Sequence, residues 1–370
     1  MDRHRPPHLV EPADLQAHLP SRIALYSADV ERVGPDEPEM AERLAGAIRS
    51  LAERTEDRRG EAVRAVHAKT YAVLEGELEV EAGLPAPLAQ GLFAQPHRYG
   101  VTLRLSSLSG DVLPDQASLP RGCALKVRGA PGPRIAGAPE RDTQDFVLAN
   151  SRTFNARNAR LFLAAIQALT PATEQAFGIK TAASGLLRRL EGLLERHGVE
   201  SPELKAIGGQ PLVHPLGDTF FGQVPVRYGR HMAKLCLTPE SAQRRAFRDA
   251  PLARGGDPDA VALALEDHFA SQGAAWRLCV QLCTDPARMP VEDGVDAWDE
   301  EESPFLPVAR LRVEPQALLG EAAARSLAFS PWNGLEAHRP LGELMRLRRA
   351  AYAWSREHRL GAGGAADGAR

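Results

Sequence analysis

The stretch AVHAKTYAVLEGELEVE (65–81) decides the fold. Its first half is a short apolar run and its second half alternates charged and apolar residues, the period of a half-buried strand. YGVTLRLSS (99–107) and CALKVRG (123–129) follow the same pattern, separated by Gly- and Pro-containing turns. Residues 145–148, 223–237, 276–283 and 308–313 continue it. Helical periodicity occurs at 37–58, with Leu44, Ile48 and Leu51 recurring, and at 157–169, with Leu161, Phe162, Ala165 and Leu169. Further helices are expected at 183–197, 257–272 and 341–358. Strands follow strands without regular crossover helices, so the pattern predicts an α+β class: an antiparallel β-barrel with surrounding helices. We expect a single domain over 1–360, opening on an irregular arm (1–35) and closing on a flexible tail, GAGGAADGAR (361–370).

Bulk properties narrow the function. The chain has 370 residues with 44% hydrophobic and 25% charged content, ordinary for a globular protein. A net charge of −3 gives no basic footprint for nucleic acid and no polybasic membrane patch. No stretch approaches the roughly 20 apolar residues of a membrane span. The N-terminus lacks the apolar core of a signal peptide, so a cytoplasmic location is expected. Cys123, Cys236, Cys279 and Cys283 show no zinc-type spacing and read as buried thiols of a reducing compartment.

The segment PWNGLEAHRPLGELMRLRRAAYAWSREHR (331–359) carries chemistry. Arg348 lies four residues before Tyr352 and Arg359 seven after it. At about 100° per residue these offsets are roughly 40° and −20°, so the three side chains share one helical face. A tyrosine between two guanidiniums suits a phenolate. Ionising a free tyrosine at pH 7 costs about 4 kcal/mol, which one arginine offsets in part and ligation to a metal offsets further. The same spacing also fits a surface helix with its tyrosine stem packed on the core.

A second candidate lies in RAVHAK (64–69), where His67 sits between apolar neighbours in a strand-like run. Buried, it is either a satisfied core histidine or an acid/base facing a cofactor. Arg104 and Ser106 close the next strand, and TQDFVLAN (143–150) leads past Phe154 into the 157–169 helix.

In chain order these pieces resemble the haem catalase superfamily, in particular its short catalase-like branch. The matching stretches are RAVHAK, LRLSS (103–107), PRGCALKVRG (120–129), TQDFVLAN, HPLGDTFFGQVPVRYG (214–229), residues 256–285, MPVEDGVDAW (289–298) and the closing segment through Tyr352. The resemblance implies a catalase-like haem fold with haem b (Fe(III)) as cofactor and a peroxide as substrate. It implies Tyr352 as the iron ligand, Arg348 as partner of its phenolate, and His67 as the distal acid/base. By the same resemblance Ser106 orients His67, Asn150 holds the peroxide, and Arg64, Arg104 and Arg359 pair with the propionates. Val66 and Phe154 are expected to line the haem.

Several positions depart from the family pattern. Counted without gaps from Asp145, the asparagine of typical catalases falls on Ala149, whereas the short branch has it at Asn150. Leu105, Asn155 and Met345 also differ from the usual residues, and we expect Asn155 near the haem. Val66 replaces the threonine that precedes the distal histidine in allene oxide synthases, which favours catalase or peroxidase activity on H2O2 or small organic peroxides. Rearrangement of lipid hydroperoxides and a non-catalytic haem- or lipid-binding role are the alternatives, and association into a homo-oligomer stays open.

Overall fold

The computed structural model describes residue 7 and residues 10–172 and 212–367. Nine antiparallel strands form one sheet: β1 (Thr70–Val80), β2 (Arg98–Ser107), β3 (Arg121–Arg128), β4 (Thr143–Ala149), β5 (Phe220–Phe221), β6 (Val226–Tyr228), β7 (His231–Pro239), β8 (Ala274–Leu282) and β9 (Leu306–Val313). Their order is β5-β4-β3-β2-β1-β9-β8-β7-β6, and an additional β5–β7 pairing closes eight of them into a barrel with β6 outside the ring. The two-residue β5 is therefore the closure. It pairs Ala149 with Phe221 on one side and Phe221 with Cys236 on the other.

Alternation dictates which side chains fill the barrel. Leu103 and Leu105 on β2, Leu125 on β3, and Phe146 and Leu148 on β4 share one buried core cluster with Leu235 and Leu278 from the opposite wall. Each such side chain contributes about 1.5–3 kcal/mol by leaving water. Leu105 thus faces the barrel interior. All four cysteines are free and buried.

Among the described residues, the helices are α1 (Leu15–His18), α2 (Glu37–Arg59), α3 (Ala159–Ala172), α4 (Ser241–Phe247), α5 (Ala260–Phe269), α6 (Glu321–Ser326) and α7 (Glu343–Asp367). The helix expected at 183–197 lies outside the described residues. A second core joins α2, α3 and α7 through Met40, Leu44, Ile48, Phe162, Leu163 and Leu347. On α3 the buried stripe is Ala159, Phe162, Leu163 and Ile166, whereas Leu161, expected on it, is 56% exposed. The i, i+3, i+4, i+7 series starting at Ala159 is the one that meets α7. α2 ends at Gly60, whose φ of 73° supplies the left-handed C-terminal cap. The closing helix starts after Gly342 (φ 88°) and runs to Asp367, beyond His358, where the sequence reading ended it. Among the described residues no helix is long and apolar enough to cross a membrane.

The N-terminal arm lies against the barrel and α7. Ala24 N–H donates to the Cys283 carbonyl at 2.8 Å, and Glu31 accepts from Arg339 at 2.8 Å and from Arg346 at 2.9 Å. Those arginines lie before and inside α7, so the arm helps fix the helix that carries Tyr352.

Candidate active site

His67 is not in a strand. It occupies a bend before β1 with φ 58°, a left-handed backbone that a non-glycine residue adopts at a cost of order 1–3 kcal/mol. Its neighbours hold it there. Arg104 Nη2 donates to the His67 carbonyl at 2.6 Å and to Thr70 Oγ1 at 2.8 Å, and the following N–H, of Ala68, donates to the Ser109 carbonyl. His67 Nδ1 lies 3.1 Å from Ser106 Oγ. The ring rests on Gly122, where a Cβ would come within 2.5 Å of His67 Nδ1 and 3.1 Å of Ser106 Oγ.

The outer face of the sheet here is built from small residues. Arg104 pairs with Ala124, Ser106 with Gly122, and Gly122 with Ala149. Directly paired residues project to the same side, so β3 and β4 present a shallow surface beside His67.

Around this surface cations collect. Arg104 is 3% exposed, and Arg64 and Arg359 are half-buried. Arg64 Nη2 donates to the carbonyls of Ala324 (2.8 Å) and Leu327 (2.7 Å), and Arg359 donates to those of Arg325 (2.8 Å) and Leu327 (3.0 Å). Neutral carbonyls are thus the partners of Arg64 and Arg359, and among the described residues Arg64, Arg104, Arg348 and Arg359 form no ion pair. Burial, then the charges of Arg104 and Arg359, push Arg64 down to about 7; burial and Arg359 push Arg104 down to about 9. A guanidinium keeps its proton under such stress, so the penalty marks a place that favours an anion. The Nε atoms of Arg356 and Arg359 are buried without a hydrogen-bond partner.

Tyr352 stands on α7 with Arg348 Nη2 donating to its phenol oxygen at 2.9 Å. The Arg348 guanidinium also lies over the rings of Phe154 (5.1 Å) and Tyr352 (5.3 Å), and Phe154 packs edge-on to Phe162. Buried Met345 supplies its sulfur to Arg348 at 3.5 Å. Burial, then Arg104, Arg348 and Arg64, push His67 down to about 3, so its imidazole is neutral at physiological pH. The arginines of both segments therefore act on one histidine: the structure brings His67, Ser106, Arg64, Arg104, Arg348, Tyr352 and Arg359 into one region. Val66 is half-buried beside His67.

One expectation changes. Asn155 is exposed rather than inside the region. Asn150 is 8% exposed, but its Oδ1 accepts from the Arg121 backbone N–H at 2.8 Å and its Nδ2 donates to Asp218 at 3.4 Å. Asp218 also pairs with the Arg121 guanidinium at 2.8 Å. Gly122, Arg121 and Asp218 carried no assigned role in the sequence reading, and Ala149 entered it only as the position of the typical catalase asparagine. The glycine in PRGCALKVRG was the available signal, and the rest depends on strand register.

Among the described residues no cluster of three or more His, Cys, Asp or Glu is placed to hold a metal ion. No protein-family model matches the chain, and no curated protein does. Solved structures do. A fungal catalase aligns over 84% of this chain with a TM-score of 0.60 at 19% identity, and catalase A from Saccharomyces cerevisiae over 92% with 0.60 at 18%. A bacterial catalase aligns over 98% with 0.56 at 17%. The chain spans 61%, 67% and 68% of those proteins respectively. At this identity the likeness is one of architecture: the chain has the barrel-centred α+β fold of the catalases.

Proposed function

We propose that the chain is a haem-dependent oxidoreductase that degrades peroxides. The observation that carries this reading is the gathering of Arg64, Arg104 and Arg359, with no recorded carboxylate partner, beside a neutral His67 and an Arg348-bound tyrosine. A flat, dianionic group fits what the residues ask for. The unpartnered Nε of Arg359 and the crowded guanidiniums call for carboxylates, and the Gly122, Ala124 and Ala149 surface accepts a planar face. Tyr352 is the oxygen donor available to a ferric ion, in keeping with the tyrosine ligation of haem in catalases.

Bound there, the haem supplies a ferric redox centre for cleavage of the peroxide O–O bond. The chain's own contribution is proton management. With His67 Nδ1 beside Ser106 Oγ, we assign Nε2 as the nitrogen that takes the proton of one peroxide oxygen and delivers it to the other. An imidazole held neutral by burial and three guanidiniums is in the protonation state that step requires. Arg348 donates to the Tyr352 oxygen and so stabilises it as an anion. Val66 has no hydroxyl to bond the neighbouring imidazole, which favours peroxide reduction over hydroperoxide rearrangement.

The absorption spectrum of protein produced with a haem supply is the direct test. A high-spin ferric tyrosinate spectrum is expected, lost in Tyr352→Phe and retained in His67→Ala, with peroxide consumption abolished in the latter. A haem-loaded protein that consumes neither H2O2 nor an organic hydroperoxide would refute the proposal.

A further inference from the structure

Four arginines have roles in the proposed function: Arg348 serves the Tyr352 oxygen, and Arg64, Arg104 and Arg359 serve carboxylates. Arg356 is a fifth without one. It follows Tyr352 by four residues on α7, about one turn and roughly 6 Å along the axis, and so shares the face of Arg348, Tyr352 and Arg359. Among the described residues its side chain makes no ion pair or hydrogen bond. Its Nε is buried, yet the residue as a whole is only half-buried and open to solvent. A carboxylate that its charge does reach is Glu140, whose oxygens are already held by Lys126 at 2.7 and 2.9 Å and by Thr143 at 2.8 Å. Its charge also bears on Arg359, three residues on. Two adjacent guanidiniums, neither with a carboxylate of its own, repel one another. An anion arriving from solvent would relieve that repulsion.

We propose that Arg356 recognises the electron donor that reduces the peroxide, and that this donor is a small anionic reductant of the phenolic-acid kind. This rests on the function proposed above. The guanidiniums of Arg64, Arg104, Arg348, Arg356 and Arg359 outnumber one phenolate and the two carboxylates of a haem, so positive charge is left over on this face. An anionic donor is drawn to it and held through the N–H groups of Arg356. A cationic donor with the same redox chemistry is repelled. Held there, the donor stands about one turn of α7 from Tyr352. Each turnover breaks the O–O bond of one H2O2. Two donor molecules each give one electron and one phenolic proton, so the peroxide becomes two waters and each donor leaves as a phenoxyl radical.

The test uses haem-loaded wild type, Arg356→Gln and Arg356→Lys with H2O2 and three phenols that differ in charge: 4-hydroxyphenylacetate, tyrosol and tyramine. Wild type is expected to show kcat/KM falling in that order, with about tenfold or more between the carboxylate and the ammonium donor at low salt. Added salt should narrow the gap. Arg356→Gln should lower the carboxylate-to-ammonium ratio about tenfold, mainly through KM, and Arg356→Lys should restore most of it. A readout independent of turnover is calorimetric titration of the resting haem-loaded protein with 4-hydroxyphenylacetate, where Arg356→Gln should lose about tenfold in affinity. No preference for the carboxylate in wild type, or the same ratio and affinity in Arg356→Gln, overturns the inference. So does a loss of haem affinity in Arg356→Gln with the donor preference kept, which makes Arg356 a cofactor residue. A holoprotein inert to peroxide defeats the functional proposal instead, and the calorimetric titration still decides the role of Arg356.

Discussion

Strands β2, β3 and β4 have two faces made from alternate residues of the same segments, and the faces obey different rules. The inner face carries Leu103, Leu105, Leu125, Phe146 and Leu148, all in one closed core. The outer face carries Arg104, Ser106, Gly122, Ala124 and Ala149, which pair across the strands in register. The inner face is optimised for volume. The outer one gives up packing and accepts like-charge repulsion, and that concession is where the chemistry of the molecule is expected.

The largest effect should come from the inner face. Leu103→Ala removes a fully buried side chain from the barrel and is expected to destabilise the protein by about 2–5 kcal/mol. Val147→Ala, on the outer row opposite Ala124, should cost under about 1.5 kcal/mol. Denaturant unfolding of both variants measures the contrast; equal losses would break the two-face reading.

Next is Gly122→Ala. The added methyl would fall on the His67 ring. Displacing that ring should cost about 1–3 kcal/mol and separate His67 from Ser106. Peroxide consumption by the haem-loaded variant is expected to fall at least tenfold while the tyrosinate spectrum persists. Unchanged turnover would show that the imidazole's position over Gly122 is unimportant.

How much of this was legible in the sequence follows the same division. Period-2 patterning marks β1 to β4 because one face is continuously apolar, and α2 is visible for the corresponding helical reason. His67 read as a strand residue because nothing in RAVHAK announces a positive φ outside glycine; the bend is held by Arg104 and Ser109, which are distant in sequence. The two-residue β5 has no periodicity to detect, yet it closes the barrel. Helical spacing to Tyr352 singles out Arg348 and Arg359, whereas the propionate roles of Arg64, Arg104 and Arg359 come from family resemblance. The standing of Ala149 against Asn150 required the strand register, which no local signal encodes.

A smaller effect distinguishes two histidines that are both pushed down to about 3. For His338, 2% exposed with Nε2 accepting from the Leu92 N–H at 2.9 Å, the cause is burial alone. For His67 the guanidiniums of Arg104, Arg348 and Arg64 add to burial. In both cases the unfolded chain, titrating near 6.5, binds more protons between about pH 3 and 6.5. Stability should therefore rise with pH through that window and be lost as pH falls through it. His338→Gln and His67→Gln should each reduce that acid-limb slope by up to one proton. Arg104→Gln should raise the His67 pKa and leave His338 where it is; a parallel shift of both, followed by NMR, would show that the outer-face charges are not what sets them apart.

The smallest effect on stability, and the most diagnostic in sign, is expected at Arg359. Its guanidinium is held by carbonyls, and burial, then the charge of Arg356, pushes it down to about 10. Removing a hydrogen-bonded arginine usually destabilises, by about 1–2 kcal/mol. Here Arg359→Gln also relieves repulsion, so haem-free protein should change by less than about 0.5 kcal/mol, and added salt should stabilise wild type more than the variant. Haem affinity is expected to move the other way and fall, because the charge that strains the cluster is the one proposed to meet an anionic cofactor. If Arg359→Gln weakens the haem-free fold by more than about 1 kcal/mol and leaves haem affinity unchanged, the arginine is an ordinary structural residue and the outer face loses one of its three anion partners.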